Sequence, residues 1–167
     1  MTTLGHVIRL GMEITEHAVA YEASTQEFLT LADSVGLEQL DCREPGEWSA
    51  RQIIHHMADS ETQSYARLRR LVAEPAGSVI QGYDEAAWAE CQALGYEELP
   101  VGNSLLVISA VRTSSLDLIR RLTLADLERI GEHTESGPYT VRKWLNVYTA
   151  HASDHAAQLR RALNSIA

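Results

Sequence analysis

Two histidines near the end of the chain have the spacing of metal ligands. His151 and His155 lie four residues apart, so on a helix they project from the same face, one turn apart. Neutral imidazoles placed in this way can bind one metal ion. Two interpretations are open: a pair of metal ligands, or two core histidines that each hydrogen-bond to a neighbour. The pair lacks the glutamate of the zinc-protease motif, so that mechanism has no support.

The position of this pair on its helix indicates that both rings point inward. At about 100° per residue, His155 falls inside the apolar stripe of the helix and His151 falls at its edge. A buried imidazole needs a partner, and one metal ion would satisfy both rings. The stripe consists of Val141, Trp144, Leu145, Tyr148, Ala152, Leu159 and Leu163.

A third ligand is expected from an earlier helix that carries His55 and His56. Its apolar stripe is formed by Ile53, Ile54, Met57, Tyr65, Leu68 and Leu71. His56 lies on the flank of this stripe and His55 lies nearly opposite, so His56 is the better candidate. Three histidines with an open fourth position are typical of a catalytic metal site. His6, His17, His55 and His133 are expected to take no part.

Helical spacing and capping signals predict the elements that carry these histidines. Four long helices are expected at about 14–35, 50–73, 104–122 and 141–163. Ser49 and Gln52 fit a capping box at the start of the second helix. Short helices are expected at 85–94 and 124–131, and the segment around Gly137 is expected to be a loop. The sequence thus predicts an all-α four-helix bundle in a single domain, 1–167. Residues 1–14 form either a short helix or an N-terminal arm, and the connection 75–103 is long enough to cross the bundle end.

Composition excludes several classes of protein. The net charge is −9, from 23 acidic and 14 basic side chains, which disfavours nucleic acid and anionic membranes as partners. The longest uncharged run, 99–111, is shorter than the roughly 18 apolar residues of a membrane span, and the N-terminus does not read as a signal peptide. Cys42 and Cys91 form no disulfide framework. A cytoplasmic protein is expected.

The order of these motifs resembles the DinB superfamily. The resemblance rests on Trp48-Ser49 at a helix start, on His56 and Asp59, and on the late His-x-x-x-His pair. The segments 48–60, 64–67 and 82–89 are most similar to its YfiT branch, and the resemblance covers about 37–163. It implies an up-down-down-up four-helix bundle. It also implies a divalent metal, typically zinc or nickel, held by His56, His151 and His155.

The resemblance leaves the reaction open between two chemistries. Members are often described as metal-dependent hydrolases, in which a metal-bound hydroxide attacks the substrate. Other relatives use low-molecular-weight thiols such as bacillithiol or mycothiol, and the metal then activates the thiol for S-transfer to an electrophile. The similarity to the YfiT branch favours thiol transfer, with hydrolysis as the alternative. A third reading is a non-catalytic, metal-stapled bundle that binds a partner or responds to stress. Relatives of this type are commonly homodimers, and a homodimer is expected.

Further side chains are candidates for orienting ligands or binding substrate. Asp59 and Glu61 could accept the second N–H of a ligand ring, or they could be solvated charges. Tyr65 and Arg67 could hold an anionic substrate, and Tyr83, in the long connection, is a substrate-binding candidate that could cover the mouth of the metal site. The alternatives are that Tyr65 packs in its stripe, Arg67 forms a surface pair and Tyr83 anchors its loop.

Overall fold

The computed structural model describes residues 3–165, with side chains from residue 14 onward. None of the helices in this part of the chain is long and apolar enough to cross a membrane. In chain order the elements are α1 (Thr3–Asp33), a 3₁₀ turn (Leu37–Gln39), α2 (Ala50–Ala73), β1 (Val79–Ile80), α3 (Glu85–Glu90), a 3₁₀ turn (Gln92–Leu94), α4 (Gly102–Ile119), α5 (Leu124–Leu127), β2 (Ile130–His133), β3 (Gly137–Thr140) and α6 (Val141–Asn164).

The four long helices α1, α2, α4 and α6 form the predicted bundle. Side-chain contacts advance in the same direction along α1 and α6, and along α2 and α4. They advance in opposite directions along α1 and α4, and along α2 and α6. The helices therefore run up, down, down and up, as predicted. Because α2 and α4 are parallel, the chain between them must return along the length of the bundle, which explains the long connection.

Side-chain caps fix where the two histidine-bearing helices begin. At α2, the backbone N–H of Gln52 donates to Ser49 Oγ at 3.2 Å, and the N–H of Ser49 donates to Gln52 Oε1 at 2.9 Å. The predicted capping box is therefore confirmed. At α6, the N–H of Lys143 donates to Thr140 Oγ1 at 3.1 Å. Such caps satisfy backbone donors that the first helical turn leaves unpaired.

The first helix is longer than the sequence indicated. It begins at Thr3 rather than near Ile14, so the helix covers most of the segment considered as an arm. Residues 1 and 2 and the side chain of His6 lie outside the described part of the chain. The helix ends at Asp33, close to the stop expected before Gly36.

A small three-stranded sheet at one end of the bundle was not predicted. Strand β1 pairs in parallel with β2, and β2 pairs antiparallel with β3. Two predictions were wrong here. The short helix α5 ends at Leu127 rather than near Gly131, because β2 begins at Ile130, and the segment at Gly137 is a hairpin strand rather than a loop. Gly137 has a positive φ of 67°, which suits glycine in a tight turn. A Cβ on Gly131 would lie 2.8 Å from the carbonyl oxygen of Ser78, so β1 and β2 require glycine there. Strands of two to four residues are too short for an alternation signal.

The interior consists of two apolar clusters separated by a layer of polar side chains. One cluster includes Tyr21, Leu68 and Trp144 near the sheet, and the other includes Phe28 and Ile53 toward the opposite end. Each long helix passes from one cluster to the other through buried polar residues. This polar layer comprises Ser24, Thr25, Ser60, Glu61, Ser64, Arg112 and Ser115, together with the partly buried His151.

Candidate metal centre

The structure brings His56, His151 and His155 together inside the bundle. One ring nitrogen of each lies within 4.8 Å of the others, a grouping that could hold a metal ion. The ring centroid of His155 lies 4.8 Å from that of His56 and 4.6 Å from that of His151. The antiparallel packing of α2 and α6 produces this cluster, because it sets His56 opposite the two rings that lie one turn apart on α6. We refer to these three residues as the triad.

His56 is the most enclosed member of the triad, and its ring nitrogens have no hydrogen-bond partner. The residue is 1% exposed, and neither Nδ1 nor Nε2 meets a donor or acceptor. The Trp48 ring packs against it with 4.7 Å between centroids. Burial lowers the pKa of His56 to about 3, with a further contribution from His155 and His151. The ring is therefore neutral at physiological pH and has a lone pair available for a cation.

His155 is held by a neighbour on its own helix. Its Nδ1 lies 2.8 Å from Gln158 Oε1, and because an amide oxygen only accepts, Nδ1 carries the proton. The Nε2 atom is then left with a free lone pair. Burial, and to a smaller extent the neighbouring His151, lower the pKa of His155 to about 4. His155 is therefore also a neutral imidazole whose tautomer is set by a hydrogen bond.

His151 is held by two residues of α2. Its Nδ1 lies 3.1 Å from Glu61 Oε1, and its Nε2 lies 3.2 Å from Ser60 Oγ. Burial on its own raises the pKa of Glu61, but Arg112 and His151 together hold it below its ordinary value. Glu61 is therefore an ionised carboxylate that can only accept. The Nδ1 of His151 must donate to it.

Arg112 of α4 completes this arrangement and was not singled out from the sequence. Its Nη1 donates to Glu61 Oε1 at 2.6 Å, and both side chains are almost fully buried, at 0% and 1% exposure. The signal that could have found it is its position on the buried face of α4, between Ile108 and Leu116. A charge on such a face needs an opposite charge inside the bundle.

Glu85, at the first turn of α3, also lies beside the triad without having been proposed from the sequence. Its Oε2 is 4.0 Å from His56 Nε2, and its side chain is 53% exposed. Glu85 is therefore a solvent-accessible carboxylate close to the buried His56 ring. No pattern along the sequence reveals this contact, because it depends on the path of the connection between α2 and α4.

The two acidic candidates on α2 have different surroundings. Glu61 contacts a triad ring, as described above. The carboxylate of Asp59 instead accepts from the hydroxyl of Tyr96 at 2.6 Å. It thereby ties α2 to the segment that follows α3. This fits the position of Asp59 on the outer side of its helix.

The three candidate substrate-binding residues do not form one cluster. Arg69 lies over the ring of Tyr65, 3.2 Å from its centroid, on the side that faces α4. Arg67 donates to the hydroxyl of Tyr148 at 2.7 Å and to the carbonyl of Gln81. The Arg67 guanidinium also lies 5.9 Å from the Tyr83 ring. Arg67 and Tyr83 therefore share a region between α2 and the connection, whereas Tyr65 is directed elsewhere.

The other described histidines stay outside the triad. His55 Nδ1 lies 2.8 Å from Ser104 Oγ, and its Nε2 lies 3.1 Å from the carbonyl oxygen of Leu99. His133 is in β2, beside the ring of Tyr139. His17 is in α1 and is partly buried.

A cleft of about 660 Å³ lies next to Trp48, and none of the three triad residues lines it. Trp48, whose ring packs on His56, forms part of its wall. The remaining wall comes from the loop before α2 and from the region of α3. The charged lining residues are four glutamates and one arginine, namely Glu47, Glu90, Glu97, Glu98 and Arg43.

The fold and the histidine cluster together define a class: four-helix bundles with a candidate three-histidine metal centre. The chain belongs to the DinB superfamily, whose family model matches residues 20–159. A relative from Oceanobacillus iheyensis, named for an inferred metal-dependent hydrolase activity, is 39% identical over 123 residues, which cover 73% of this chain and 69% of that protein. A relative from Bacillus cereus with the same kind of name is 34% identical over 122 residues, covering 71% and 68%.

A solved structure supports the same placement. YfiT from Bacillus subtilis superposes with a TM-score of 0.80 at 25% identity, covering 89% of this chain and 85% of that one. It is described as an inferred metal-dependent hydrolase with an unusual four-helix bundle topology. The predicted membership of the DinB superfamily, in its YfiT-like branch, is therefore confirmed. These relatives and the histidine cluster point to a divalent metal and to enzymatic activity.

Proposed function

We propose that this protein is a metal-dependent hydrolase in which His56, His151 and His155 hold one divalent ion, zinc or nickel. The observation that carries the proposal is His56. Two buried ring nitrogens without a partner are costly, by about 1–3 kcal/mol for each unsatisfied group. A cation bound to one of them removes part of that cost, and this explains a polar ring in an otherwise apolar position.

The donor set fits such an ion. Imidazole nitrogen suits zinc and nickel, and three neutral donors leave the full charge of a dication in place. Gln158 and Glu61 accept hydrogen bonds from the Nδ1 atoms of His155 and His151. In each ring Nε2 is therefore the unprotonated nitrogen that can bind a metal ion. An ion held there supplies Lewis acidity, which lowers the pKa of a water molecule or a thiol that reaches the centre.

Glu85 is the group we propose as general base. Its carboxylate lies next to His56 yet stays half exposed, so it can accept a proton from the attacking nucleophile and release it to solvent. The substitution Glu85→Gln keeps the size and removes the basicity. We expect turnover to fall about 10²–10⁴-fold while the metal content stays unchanged.

The cleft beside Trp48 is the proposed binding site for a small-molecule substrate. Four glutamates and one arginine line it, so it favours neutral or positively charged substrates over anionic ones. Hydrolysis stands first because the relatives from Oceanobacillus iheyensis and Bacillus cereus are named for it, as is the YfiT structure. Thiol S-transfer is the second candidate, because a cleft of about 660 Å³ has room for a thiol and an electrophile side by side.

The deciding experiment combines metal analysis of the purified protein with two activity screens. One screen uses neutral, cationic and anionic esters and amides, and the other uses several low-molecular-weight thiols with a generic electrophile. Hydrolysis that needs the metal and prefers neutral or cationic substrates supports the proposal. Metal-dependent conjugation of a thiol with no hydrolysis favours the second candidate. A tightly held metal with no activity in either screen, and a protein that unfolds when the metal is removed, would establish a non-catalytic, metal-stapled bundle.

A further inference from the structure

The guanidinium of Arg112 is bound by the other three long helices of the bundle. It donates from Nε to Thr25 Oγ1 of α1 at 2.6 Å and from Nη1 to Glu61 Oε1 of α2 at 2.6 Å. It also reaches the carbonyl oxygen of Tyr148 of α6 at 3.3 Å from Nη2. It stacks over the ring of Tyr21, with 3.9 Å from Cζ to the centroid. Its place inside the bundle is therefore fixed from every side.

The same carboxylate oxygen of Glu61 serves both Arg112 and His151. Glu61 Oε1 lies 2.6 Å from Arg112 Nη1 and 3.1 Å from His151 Nδ1. Arg112 is always charged, and Glu61 is the carboxylate that pairs with it, so Glu61 balances its charge inside the bundle. An oxygen that receives both donors places the His151 ring relative to Arg112. Helix α4, which supplies no member of the triad, is thereby linked to it.

We propose that Arg112 is a positioning residue for the metal centre: through Glu61 it holds His151 as the Nδ1–H tautomer, so that Nε2, which now faces the Ser60 hydroxyl, is unprotonated and able to bind a cation. This inference rests on the proposed function, because it concerns how the triad is prepared for an ion. A carboxylate or carbonyl behind a histidine ligand fixes both the tautomer and the ring orientation. Here the carboxylate is in turn fixed by a buried arginine from a different helix.

A purely structural ion pair is the competing explanation, and it makes a different prediction. Replacing a buried ion pair by apolar residues of similar size is often neutral or stabilising, whereas removing one partner is strongly destabilising. The double variant Glu61→Met/Arg112→Met should therefore recover most of the stability lost in either single variant. If the pair serves only stability, metal affinity recovers with it. If the pair positions His151, affinity stays low.

The test reads the tautomer first, in metal-free protein labelled with ¹⁵N. Two-bond ¹H–¹⁵N spectra of the imidazole rings distinguish a protonated Nδ1 from a protonated Nε2. We expect His151 of the native chain to be the Nδ1–H form, and we expect the Nε2–H form to gain population in Glu61→Met/Arg112→Met. A native His151 in the Nε2–H form, or a tautomer that the double variant leaves unchanged, overturns the inference whether or not a metal binds.

Zinc affinity is then measured by competition with a chromophoric chelator, beside unfolding in urea. We expect about 10–100-fold weaker binding in the double variant and in Arg112→Met. The matched control is Arg69→Met, which removes an arginine that stacks on Tyr65 and bonds to Ser114, and we expect its zinc affinity to be unchanged. The inference is contradicted if the folded double variant binds zinc as tightly as the native chain, or if Arg69→Met loses as much zinc affinity as Arg112→Met. A native chain that binds no zinc, nickel or cobalt overturns the proposed function instead, and the tautomer measurement still stands separately.

Discussion

Replacing His56 by leucine should stabilise the metal-free protein, although it removes the most buried member of the triad. The ring of His56 is 1% exposed, and its two nitrogens have no partner. Leucine has a similar volume and no polar atom, so the change removes an unsatisfied group without opening a large cavity. We expect His56→Leu to raise the free energy of unfolding by about 1 kcal/mol at neutral pH. For a chain of this length, that corresponds to about 2–4 °C in Tm.

The advantage of leucine should grow as the pH falls. The pKa of His56 is about 3 in the folded protein and about 6.5 when unfolded. Below about pH 6.5 the unfolded chain therefore takes up a proton that the folded chain refuses, so acid lowers stability. Between about pH 7 and about pH 5.5 this linkage costs the native chain about 1.3 kcal/mol through His56 alone. His56→Leu escapes this cost, so its advantage should rise to about 2 kcal/mol.

The matched control is His55→Leu, one residue earlier on the same helix. His55 is also buried, but both its nitrogens are bonded, to Ser104 and to the carbonyl of Leu99. Leucine at this position breaks both bonds, and we expect a loss of about 1–2 kcal/mol at neutral pH. If leucine raises the free energy of unfolding at position 56 and lowers it at position 55, the difference reflects whether the ring nitrogens of the replaced histidine were hydrogen-bonded.

The assay is urea unfolding of chelator-treated protein at the two pH values, followed by circular dichroism, with metal content checked beforehand. Saturating zinc is then added to both proteins. We expect zinc to stabilise the native chain by about 2.7 kcal/mol at 100 times its Kd and to leave His56→Leu unchanged. The reasoning is refuted if His56→Leu lowers metal-free stability at neutral pH, or if its difference from the native chain does not change with pH.

Three further predictions concern the metal centre and the assembly. His155→Ala should abolish both metal retention and turnover, whereas His133→Ala should leave metal content unchanged; elemental analysis of the purified variants checks both. Chelation should stop turnover and leave most of the helical signal in circular dichroism, because the two apolar clusters can hold the bundle together; complete unfolding on chelation would contradict it. We also propose a two-fold homodimer, and a monomer mass in light scattering at micromolar concentration would reject it.

Local patterns in the sequence were sufficient where the determinant lies within one helix. The capping box at Ser49 and the spacing of His151 and His155 are of this kind, and both predict the local structure correctly. Placing His56 beside the late pair required one more step, the comparison of its two candidate rings on a helical wheel. That step succeeded because one face of α2 is consistently apolar.

Two contacts between elements at the triad, those of Glu85 and Arg112, were not predicted. Glu85 reaches the triad only because the connection between α2 and α4 folds back over it. Arg112 is buried between Glu61 of α2 and residues of α1. The sequence of α4 alone does not indicate that a carboxylate on another helix pairs with this arginine. The start of α1 was missed for a different reason: its first turn contains no acidic residue to mark a beginning.

The polar layer shows that the interior of this bundle is not arranged for stability alone. An apolar layer at the same height would avoid the cost of desolvating Glu61 and Arg112. These costs fall in the one layer where each long helix changes from one apolar cluster to the other. Both charged side chains are almost fully buried, and Glu61 contacts His151 directly whereas Arg112 contacts Glu61. Because every long helix contributes to the layer, a substitution in α1 or α4 can reach the triad without touching it. The position of the triad is therefore a property of the whole bundle as well as of the two helices that carry its rings.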